Sequence, residues 1–452
     1  MKGRPTSVGR FLFQIPMSQQ PICIHWFRRD LRWRDNRGLH AALASGTPVL
    51  PLFVFDPVIL DRLPSSDRRV SFLHDTIGTM KHEAYELGKG FLVKYGKPED
   101  VLSELMATQH VTAVFTNEDY EPMAKARDEH VKQLCQVHGS AFHTFKDHVI
   151  LAPGEAIKPD GTPYTVFTPF SKRWHANVTE QDFEPCPSES LLDRLLDGEQ
   201  PPMPTLEDMG FDGVRHDIPP ASIDAAVVDQ YHETRDTPSI RGTSRISVHL
   251  RFGTIGIREA ARLGRASNDK WLTELIWRDF YQAIIHFFPY SVERAFKPAY
   301  DRVPWVWNEA HFERWKAGNT GYPLVDAGMR ELAATGFMHN RVRMVVASFF
   351  CKHLLMDWRL GERYFAEQLL DFELASNVGG WQWAAGTGCD AAPYFRVFNP
   401  TSQWNKFDPQ SRYIRQWVPE FESLAYNQPV VEHKWARQRA IDTYKAALAK
   451  TA

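Results

Sequence analysis

Short apolar segments alternate with polar stretches through the first third of this sequence. Four of the segments are rich in Val, Ile and Phe, and a shorter fifth follows them. A strand that is apolar along its whole length is buried on both faces, and the helices between such strands cover the sheet. The pattern predicts a doubly wound α/β domain with a parallel sheet, in which strands at 22–27, 49–55, 91–96, 111–117 and 141–145 alternate with helices at 35–44, 67–88, 98–109 and 121–138.

Loops follow the carboxyl ends of the predicted strands at 28–37 and 117–123. Ligands of doubly wound sheets bind at this edge, so the domain could hold a small molecule there. A purely structural domain is equally compatible with the pattern. The sequence leaves both interpretations open.

The chain has 452 residues, which is more than a single hydrophobic core usually organises. Periodicity fades after the last predicted strand, and 180–217 is acidic and rich in proline, as in an interdomain linker. After Tyr231 the pattern becomes that of long helices, at 271–287, 324–335 and 339–356. We therefore expect an N-terminal extension at 1–20, an α/β domain at 21–148, a linker at 149–230 and a larger all-α domain at 231–452.

The formal net charge is −2, so a nucleic-acid partner would have to bind a local basic patch. Seven arginines occur between 235 and 265, against only Asp236 and Glu259. Such a run favours phosphate binding, although a solvated helix face is its usual meaning. Within it, GTSRIS (242–247) places two hydroxyls and backbone N–H groups beside Arg245, which suits a diphosphate. The same motif is also an ordinary helix N-cap followed by an arginine.

Two helical segments carry polar groups on one face. Glu274, Trp277, Arg278 and Tyr281 recur at the spacing of one helical face, where a carboxylate could bind a base and an indole could stack on it. The alternative is an amphipathic helix with its tryptophan in the core. In the second segment, the sequence places Asn340, Arg343 and Met344 on a shared face, and Arg341 elsewhere.

The segment 371–400 concentrates polar and aromatic residues. Asp371, Glu373 and Asn377 precede two glycines and two tryptophans, Trp381 and Trp383. Small residues allow a large flat ligand to approach the backbone, so the segment is typical of a cofactor site. A helical hairpin anchored by tryptophan is the alternative.

The five cysteines are scattered and form no CxxC pair, which argues against zinc, an iron–sulfur cluster or a disulfide framework. No apolar run is long enough to span a membrane. We therefore expect a cytoplasmic protein without a metal. Residues 1–16 resemble an organellar signal only faintly, and Met17 is a second possible start.

Seven segments follow one another in the order in which the photolyase/cryptochrome family carries them. They are WFRRDLR (26–32), GTSRIS, ELIWRDFY (274–281), TGYPLVDAGMREL (320–332), MHNRVRM (338–344), DWRLGERYF (357–365) and NVGGWQWAAGTGCDAAPYFRVFNP (377–400). From residue 21 onward the chain resembles this family, and within it most resembles the bacterial-type cyclobutane pyrimidine dimer (CPD) photolyases. The resemblance implies an N-terminal antenna domain and a helical domain that holds FAD in a U-shaped conformation.

The same resemblance implies the residues that bind FAD. The diphosphate and ribityl chain would be held by Tyr231, Thr243, Ser244, Arg245, Ile246 and Ser247, and the rest of FAD by Trp271, Glu274, Arg343, Asp371 and Glu373. Asn377 would face flavin N5, where repair enzymes carry Asn and plant-type receptors commonly carry Asp. An amide hydrogen-bonds to N5 without adding charge, which favours the reduced flavin that repair needs.

DNA containing pyrimidine dimers is the implied partner of a monomeric protein. The flipped dimer would be received by Glu274, Trp277, Asn340, Met344 and Trp383, and the phosphates around it by Arg235, Arg341, Arg396, Gln403 and Lys406. Met344 stands where (6-4) photolyases use histidines for acid catalysis, and a thioether cannot relay a proton. A CPD substrate is therefore implied.

The implied reaction is that of a deoxyribodipyrimidine photo-lyase: excited FADH⁻ gives one electron to the dimer, the ring splits and the electron returns. Oxidised flavin would be reduced along Trp381, Trp358 and Trp305, although Trp307 competes for the outermost position and core packing is also open to all of them. A cryptochrome that signals through protein partners is the alternative, and a flavoprotein that only binds nucleic acid is a third.

The chain departs from the family in four places. Glu373 replaces the commoner Asp, and Val378 replaces a second Asn. Folate-binding members carry an Asn–Glu pair in the segment matching 120–128, where this chain has Met123 and Ala124, and a cation where it has Glu293. Folate in that pocket is disfavoured, and a deazaflavin, a second flavin or no antenna chromophore remain open.

Overall fold

The computed structural model describes residues 20–198 and 201–449. The chain forms two compact units. The first comprises Met1–Ile150, Glu180–Ala221 and His249–Ala260, and the second comprises Leu151–Thr179, Ser222–Val248 and Ala261–Ala452. The expected N-terminal extension, including the second possible start at Met17, lies outside the described residues apart from Gln20.

The first unit is built on five parallel strands in the order β3-β2-β1-β4-β5. The predicted fold class is confirmed. Strands β1, β2 and β4 are almost wholly buried, because helices lie on both faces of the sheet, while the edge strand β5 is largely exposed. The strands are β1 (Ile22–Phe27), β2 (Val49–Phe55), β3 (Leu92–Tyr95), β4 (Val111–Asn117) and β5 (Ala141–Phe145).

The helices between these strands begin where their capping residues predict. The side chain of Asn36 accepts a hydrogen bond from the N–H of Leu39, and that of Asp67 accepts from Arg69. Proline opens three of the helices, where its missing N–H costs nothing. The helices are α1 (Arg37–Ala44), α2 (Pro57–Leu60), α3 (Arg68–Glu86), α4 (Pro98–Thr108) and α5 (Pro122–Val137).

A buried ion network stabilises the first unit. Arg258 donates from Nε to Asp35 over 2.7 Å and from Nη2 to Asp147 over 2.7 Å. Arg32 contacts the second carboxylate oxygen of Asp147. Burial alone would raise the pKa of Asp147, but the two guanidinium groups lower it overall. Arg258 therefore has a structural role, and the interpretation of the whole arginine run as phosphate-binding is wrong at this residue.

The segment expected to link the two domains is divided between the units. Helix α6 (Phe167–Asn177) belongs to the second unit. Helix α7 (Glu180–Phe183) and a 3₁₀ helix at Ser188–Arg194 belong to the first. Its proline-rich part thus includes ordered helical turns.

Helices dominate the rest of the chain. They are α8 (Ala225–Asp229), α9 (Tyr231–Thr234), α10 (Ser247–Phe252), α11 (Ile257–Ser267), α12 (Asp269–Phe287), α13 (Glu309–Lys316), α14 (Pro323–Thr335), α15 (Asn340–Ser348), α16 (Trp358–Gln368), α17 (Leu374–Ala385), α18 (Pro400–Phe407), α19 (Arg412–Trp417) and α20 (His433–Ala449), with 3₁₀ turns at Pro289–Val292 and Pro298–Arg302. The core of the second unit lies among α14, α15, α16 and α17. Across the described ranges, no helix is long and apolar enough to cross a membrane, and His, Cys, Asp and Glu form no metal-binding group of three.

The helix predicted over 339–356 is wrong in its second half. Helix α15 ends at Ser348 and is followed by a π-helical turn at Phe349–His353. There the N–H of Leu354 bonds to the carbonyl of Phe349, 3.1 Å away, and Leu355 adopts a positive φ of 56°. The run is buried on all sides, so its hydrophobic pattern could not distinguish an α-helical from a π-helical turn.

Candidate functional site

The segment before α10 offers unpaired backbone donors. In Gly242–Ser247, Arg245 adopts a positive φ of 54°, which turns the chain into the helix. Within the described chain, no hydrogen bond is donated by the backbone N–H groups of Thr243, Ser244 or Arg245. The Arg245 guanidinium lies 4.1 Å from the centroid of Phe337. Free N–H groups at the start of a helix fit an anionic diphosphate.

Glycine is required at the start of this segment. A Cβ atom on Gly242 would lie 2.6 Å from Cβ of Thr234 in α9. Ile246 is buried, and the Oγ of Ser244 accepts a hydrogen bond from Nε1 of Trp271, 3.4 Å away. These contacts fix the donors on α9 and α12.

Glu274 is paired with an arginine. Its carboxylate accepts from Nη1 of Arg235, whose guanidinium also lies 5.3 Å from the centroid of the Tyr231 ring. Burial raises the pKa of Glu274, and Arg235 opposes the rise. The structure therefore joins Tyr231, Arg235 and Glu274 into one group on α9 and α12.

Asp371 connects three segments of the second unit. It accepts from Nη2 of Arg343 over 2.9 Å and from the hydroxyl of Ser247 over 2.6 Å. Arg343 also donates from Nε to the carbonyl of Met338 over 2.7 Å. This arrangement holds the start of α10, helix α15 and the segment before α17 together.

Glu373 is buried between two donors. Its carboxylate accepts from Nη2 of Arg278 over 2.9 Å and from the hydroxyl of Ser376 over 2.9 Å. The longer side chain, which replaces the family's commoner Asp, thus forms an ion pair with α12. The sequence placed Arg278 on the correct helical face but assigned it no partner.

Asn377 is oriented by a residue that the sequence analysis missed. Its Nδ2 group donates to both the backbone carbonyl and the carboxylate Oε1 of Glu362, over 3.0 Å and 2.9 Å. Burial raises the pKa of Glu362, and the bond from Asn377 lowers it in part. The Oδ1 atom of Asn377 accepts no hydrogen bond from the described residues. Glu362 lies in the quoted segment DWRLGERYF, but nothing in the sequence links it to Asn377.

The two glycines of α17 differ in their surroundings. A Cβ atom on Gly379 would lie 2.3 Å from the Tyr281 ring, so close packing of α17 on α12 requires glycine there. Around Gly380 a Cβ atom would meet nothing within 4 Å among the described residues. The interpretation that both glycines make room for a ligand is therefore wrong for Gly379. Val378 is buried in the core.

The predicted electron-transfer tryptophans become more exposed along the proposed electron route, which runs from Trp381 through Trp358 to Trp305. Trp381 and Trp358 are buried, and Trp305 is half-buried against Tyr444, with ring centroids 5.8 Å apart. A Cβ atom on Gly361 would lie 2.1 Å from Trp381, so this ring lies directly on α16, one turn after Trp358. Trp307 is 57% exposed.

Other aromatic side chains line the region predicted to receive the dimer. Trp277 stacks on Phe167 of α6, with centroids 3.6 Å apart and planes 4° from parallel. Trp383 lines a small pocket, partly open to solvent, together with Tyr281 and Cys389. The sulfur of Met344 lies 3.7 Å from Nη1 of Arg341. Phe167 is a contact that sequence reasoning did not provide.

The five residues predicted to contact phosphates fall into two groups. Arg235 is paired with Glu274, and Arg341 is paired with Asp236 over 2.7 Å and covers the ring of Phe407 at 4.3 Å. Arg396 and Lys406 are exposed, as is Asn340 at the start of α15, and Gln403 is half-buried. The exposed cations are the better placed for a phosphate backbone.

The first unit has a groove at the carboxyl edge of its sheet. It is open to solvent, and its lining includes Asp56, Lys97, Met123, Arg127 and His130. In α5, Ala124 is buried and Met123 is exposed. The groove is lined by the segments that follow β2 and β3 and by α5, so it includes Met123 of the expected loop 117–123 but no residue of the expected loop 28–37.

Comparisons with known proteins cover almost the whole chain. The family model DNA photolyase matches residues 23–189, and the FAD binding domain of DNA photolyase matches residues 271–425. The deoxyribodipyrimidine photo-lyase of Escherichia coli is 37% identical over 93% of this chain and 98% of the relative. That of Halobacterium salinarum is 36% identical, over 94% of this chain and 99% of the relative.

Solved structures agree with these matches. A bacterial class III photolyase from Agrobacterium tumefaciens has a TM-score of 0.83 and 31% identity, covering 96% of this chain and 99% of its own. An archaeal photolyase from Sulfolobus tokodaii with two FAD molecules has a TM-score of 0.80 and 32% identity, covering 94% of this chain and 100% of its own. A Synechocystis cryptochrome has a TM-score of 0.80 and 25% identity, covering 94% of this chain and 99% of its own.

A parallel α/β unit and a helical unit with unpaired backbone donors define a flavoprotein of the photolyase/cryptochrome class. The chain belongs to the DNA photolyase family. The predicted resemblance is confirmed.

Proposed function

We propose that this protein is a light-driven repair enzyme for cyclobutane pyrimidine dimers in DNA. The observation that carries the proposal is the anchoring of Asn377 by Glu362. With Nδ2 engaged, the atom left for a cofactor is Oδ1, an acceptor that suits a flavin N5–H. Full-length similarity to two deoxyribodipyrimidine photo-lyases supports the same conclusion.

The residues present fit FAD. The unpaired N–H groups of Thr243, Ser244 and Arg245 would bind its diphosphate, and Asp371 would keep Arg343 and Ser247 positioned around it. Bound in its reduced form, FADH⁻ would supply the excited-state electron that splits the dimer. Asn377 would hold the N5 proton, and Glu373 would keep α17 fixed to α12 through Arg278.

The proposed substrate is a flipped dimer, and its repair would use no acid catalyst. Glu274 would accept from a base, while Trp277 and Trp383 would contact its faces. Met344 offers a thioether, and the neighbouring His339 is an N-cap whose Nδ1 accepts from the N–H of Arg341. Burial lowers the pKa of His339 to about 4, so at neutral pH it is not an acid. These features support CPD over (6-4) repair.

The proposal extends to the antenna chromophore, to the oligomeric state and to the cellular compartment. We assign no folate, because Met123 and the buried Ala124 offer no hydrogen-bonding side chain. A deazaflavin or a second flavin would instead use the groove beside Arg127. Acid extraction of the purified protein, with chromatography of the released chromophores, tests this assignment. We further propose that the protein acts as a cytoplasmic monomer. Size-exclusion chromatography with and without DNA tests the oligomeric state.

One assay tests the proposed function. Single-stranded DNA with a thymine dimer is illuminated with the chemically reduced holoprotein, and recovery of thymine absorbance is followed. Recovery that requires light supports repair. No recovery, with FAD bound and reduced, would overturn the proposal in favour of a cryptochrome. Electron supply is tested separately with Trp381→Phe, which should lose photoreduction but repair normally after chemical reduction.

A further inference from the structure

A second buried tryptophan contacts Trp381 from the side of α13. Trp315 is fully buried, and its ring centroid lies 6.2 Å from that of Trp381, with the planes at 73°. On its other side, Trp315 meets Tyr364 of α16 with centroids 5.4 Å apart. Three oxidisable rings therefore lie next to one another in space, in the order Trp381, Trp315 and Tyr364. This route includes neither Trp358 nor Trp305.

We propose that Trp315 and Tyr364 form a second electron-donor branch to Trp381. The inference rests on the proposed function, in which Trp381 is the first donor to the cofactor. Two branches would then start from Trp381, one through Trp358 to Trp305 and the other through Trp315 to Tyr364.

The surroundings of Trp315 keep a positive charge mobile. Its Nε1 atom is buried and has no hydrogen-bond partner among the described residues, and the same holds for Trp381. An oxidised indole with no proton acceptor keeps its charge, so the charge either moves to another ring or is lost when the electron returns from the cofactor. The remaining close rings, Phe312, Phe350 and Phe365, are much harder to oxidise than tyrosine.

Tyr364 is placed to end the branch. Tyr364 is half-buried, whereas Trp315 and Trp381 are buried, so it is the most exposed member of the branch. Burial raises the pKa of Tyr364, with smaller contributions from Glu367 and Glu313, so the phenol is neutral before oxidation. The same carboxylates favour loss of the proton after oxidation. Lys316 lies 5.9 Å from the ring centroid but is itself paired with Glu313 over 2.7 Å.

The steps balance as follows. Trp381 gives one electron to the bound cofactor and becomes a radical cation. Trp315 returns one electron to Trp381, and Tyr364 returns one electron to Trp315. The phenolic proton of Tyr364 passes to water, which leaves a neutral tyrosyl radical. A small thiol in solution then restores tyrosine by giving up a hydrogen atom.

Transient absorption of the FAD-loaded Trp358→Phe variant tests the branch. We expect photoreduction to persist and a neutral tyrosyl radical to form. Adding Tyr364→Phe should remove the tyrosyl signal, and adding Trp315→Phe should remove both the signal and the remaining photoreduction. Tyr322→Phe, which removes a hydroxyl outside this ring sequence, is the matched control and should change neither.

Three outcomes would overturn the branch. They are complete loss of photoreduction in Trp358→Phe alone, a tyrosyl signal that survives Tyr364→Phe, and a signal that Trp307→Phe removes instead. FAD content and thermal unfolding establish that each variant is folded. Repair by the chemically reduced Trp315→Phe variant distinguishes the two proposals, because it should be normal if only the branch fails and absent if the repair function itself is wrong.

Discussion

At the scale of single residues, Asn377 and Glu362 act as one unit. The amide donates twice to Glu362, which is half-buried and whose pKa is raised by burial. Asn377→Asp would place two carboxylates in contact. We expect thermal unfolding at neutral pH to show a loss of about 1–3 kcal/mol, because a partly buried charge loses its donor and gains a repulsive neighbour.

The double variant Asn377→Asp/Glu362→Gln is the control for this prediction. In this variant the carboxylate is at position 377 and the amide is at position 362, so a hydrogen bond between them can form again. Most of the lost free energy of unfolding should therefore return. The penalty of the single variant should also shrink as the pH falls, because protonation of either carboxyl removes the repulsion. A single variant as stable as the parent protein would contradict the proposed pairing.

Exposure distinguishes the two arginines that lie near the proposed dimer site. Arg396 is exposed, whereas Arg341 is paired with Asp236. We expect Arg396→Ala to lower the salt slope of DNA binding by about one unit, through loss of one phosphate contact. Arg341→Ala should lower it by less, because the parent guanidinium is already partly neutralised. Binding titrations over a range of salt concentrations measure both slopes, and equal slopes for Arg396→Ala and the parent protein would remove Arg396 from the interface.

At the scale of helices, a glycine in α16 leaves space for an indole. Gly361→Ala would place a methyl group 2.1 Å from Trp381. Overpacking in a core costs about 1–3 kcal/mol, which outweighs the gain of about 1 kcal/mol from better helix propensity. We expect a lower unfolding temperature and altered tryptophan fluorescence in the apoprotein.

Gly380→Ala in α17 is the matched control. A methyl group there meets nothing within 4 Å among the described residues, so only the propensity gain remains and the apoprotein should become more stable. If Gly361→Ala stabilises the apoprotein as well, the contact of α16 with Trp381 is looser than described. Reduced FAD affinity in Gly380→Ala alone would show that this glycine faces the cofactor.

Helices and strands were predicted correctly from the sequence where the residue pattern is compatible with only one type of secondary structure. The runs of β1, β2 and β4 identify buried strands because they are short, rich in Val, Ile and Phe, and bounded by polar helical stretches. The π-helical turn after Ser348 escaped prediction because a fully buried run has no polar face to show the extra residue. Glu362, Arg278 and Phe167 gained partners only through contacts between distant segments, which spacing along one chain cannot reveal.

At the scale of the whole molecule, buried histidines set the response to acid. Burial lowers the pKa of His353 to about 3, assisted by His433 and Arg439, and that of His339 to about 4. Unfolded histidines bind protons near pH 6.5, so between that value and the folded pKa the unfolded chain binds more protons. Stability therefore falls as the pH falls, by about 2 kcal/mol for each histidine at about pH 5.

Denaturant midpoints between about pH 7 and pH 5 check this prediction. His353→Asn should flatten the pH dependence, because it removes one of the two groups. His82→Gln, an exposed position on α3, is the control and should leave the slope unchanged. Equal slopes in the parent protein and His353→Asn would contradict the assignment.

The division of the chain between its units has a consequence for recombination. Asp35 and Asp147 lie in the first part of the α/β unit, but their partner Arg258 comes from His249–Ala260, more than a hundred residues later. A single crossover near residue 150 between two related genes would therefore take the carboxylates from one parent and the guanidinium from the other. Chimaeras that keep this unit intact need further crossovers on both sides of the later segments. A relative therefore acquires a changed α/β unit more easily by gradual substitution than by exchange of one block.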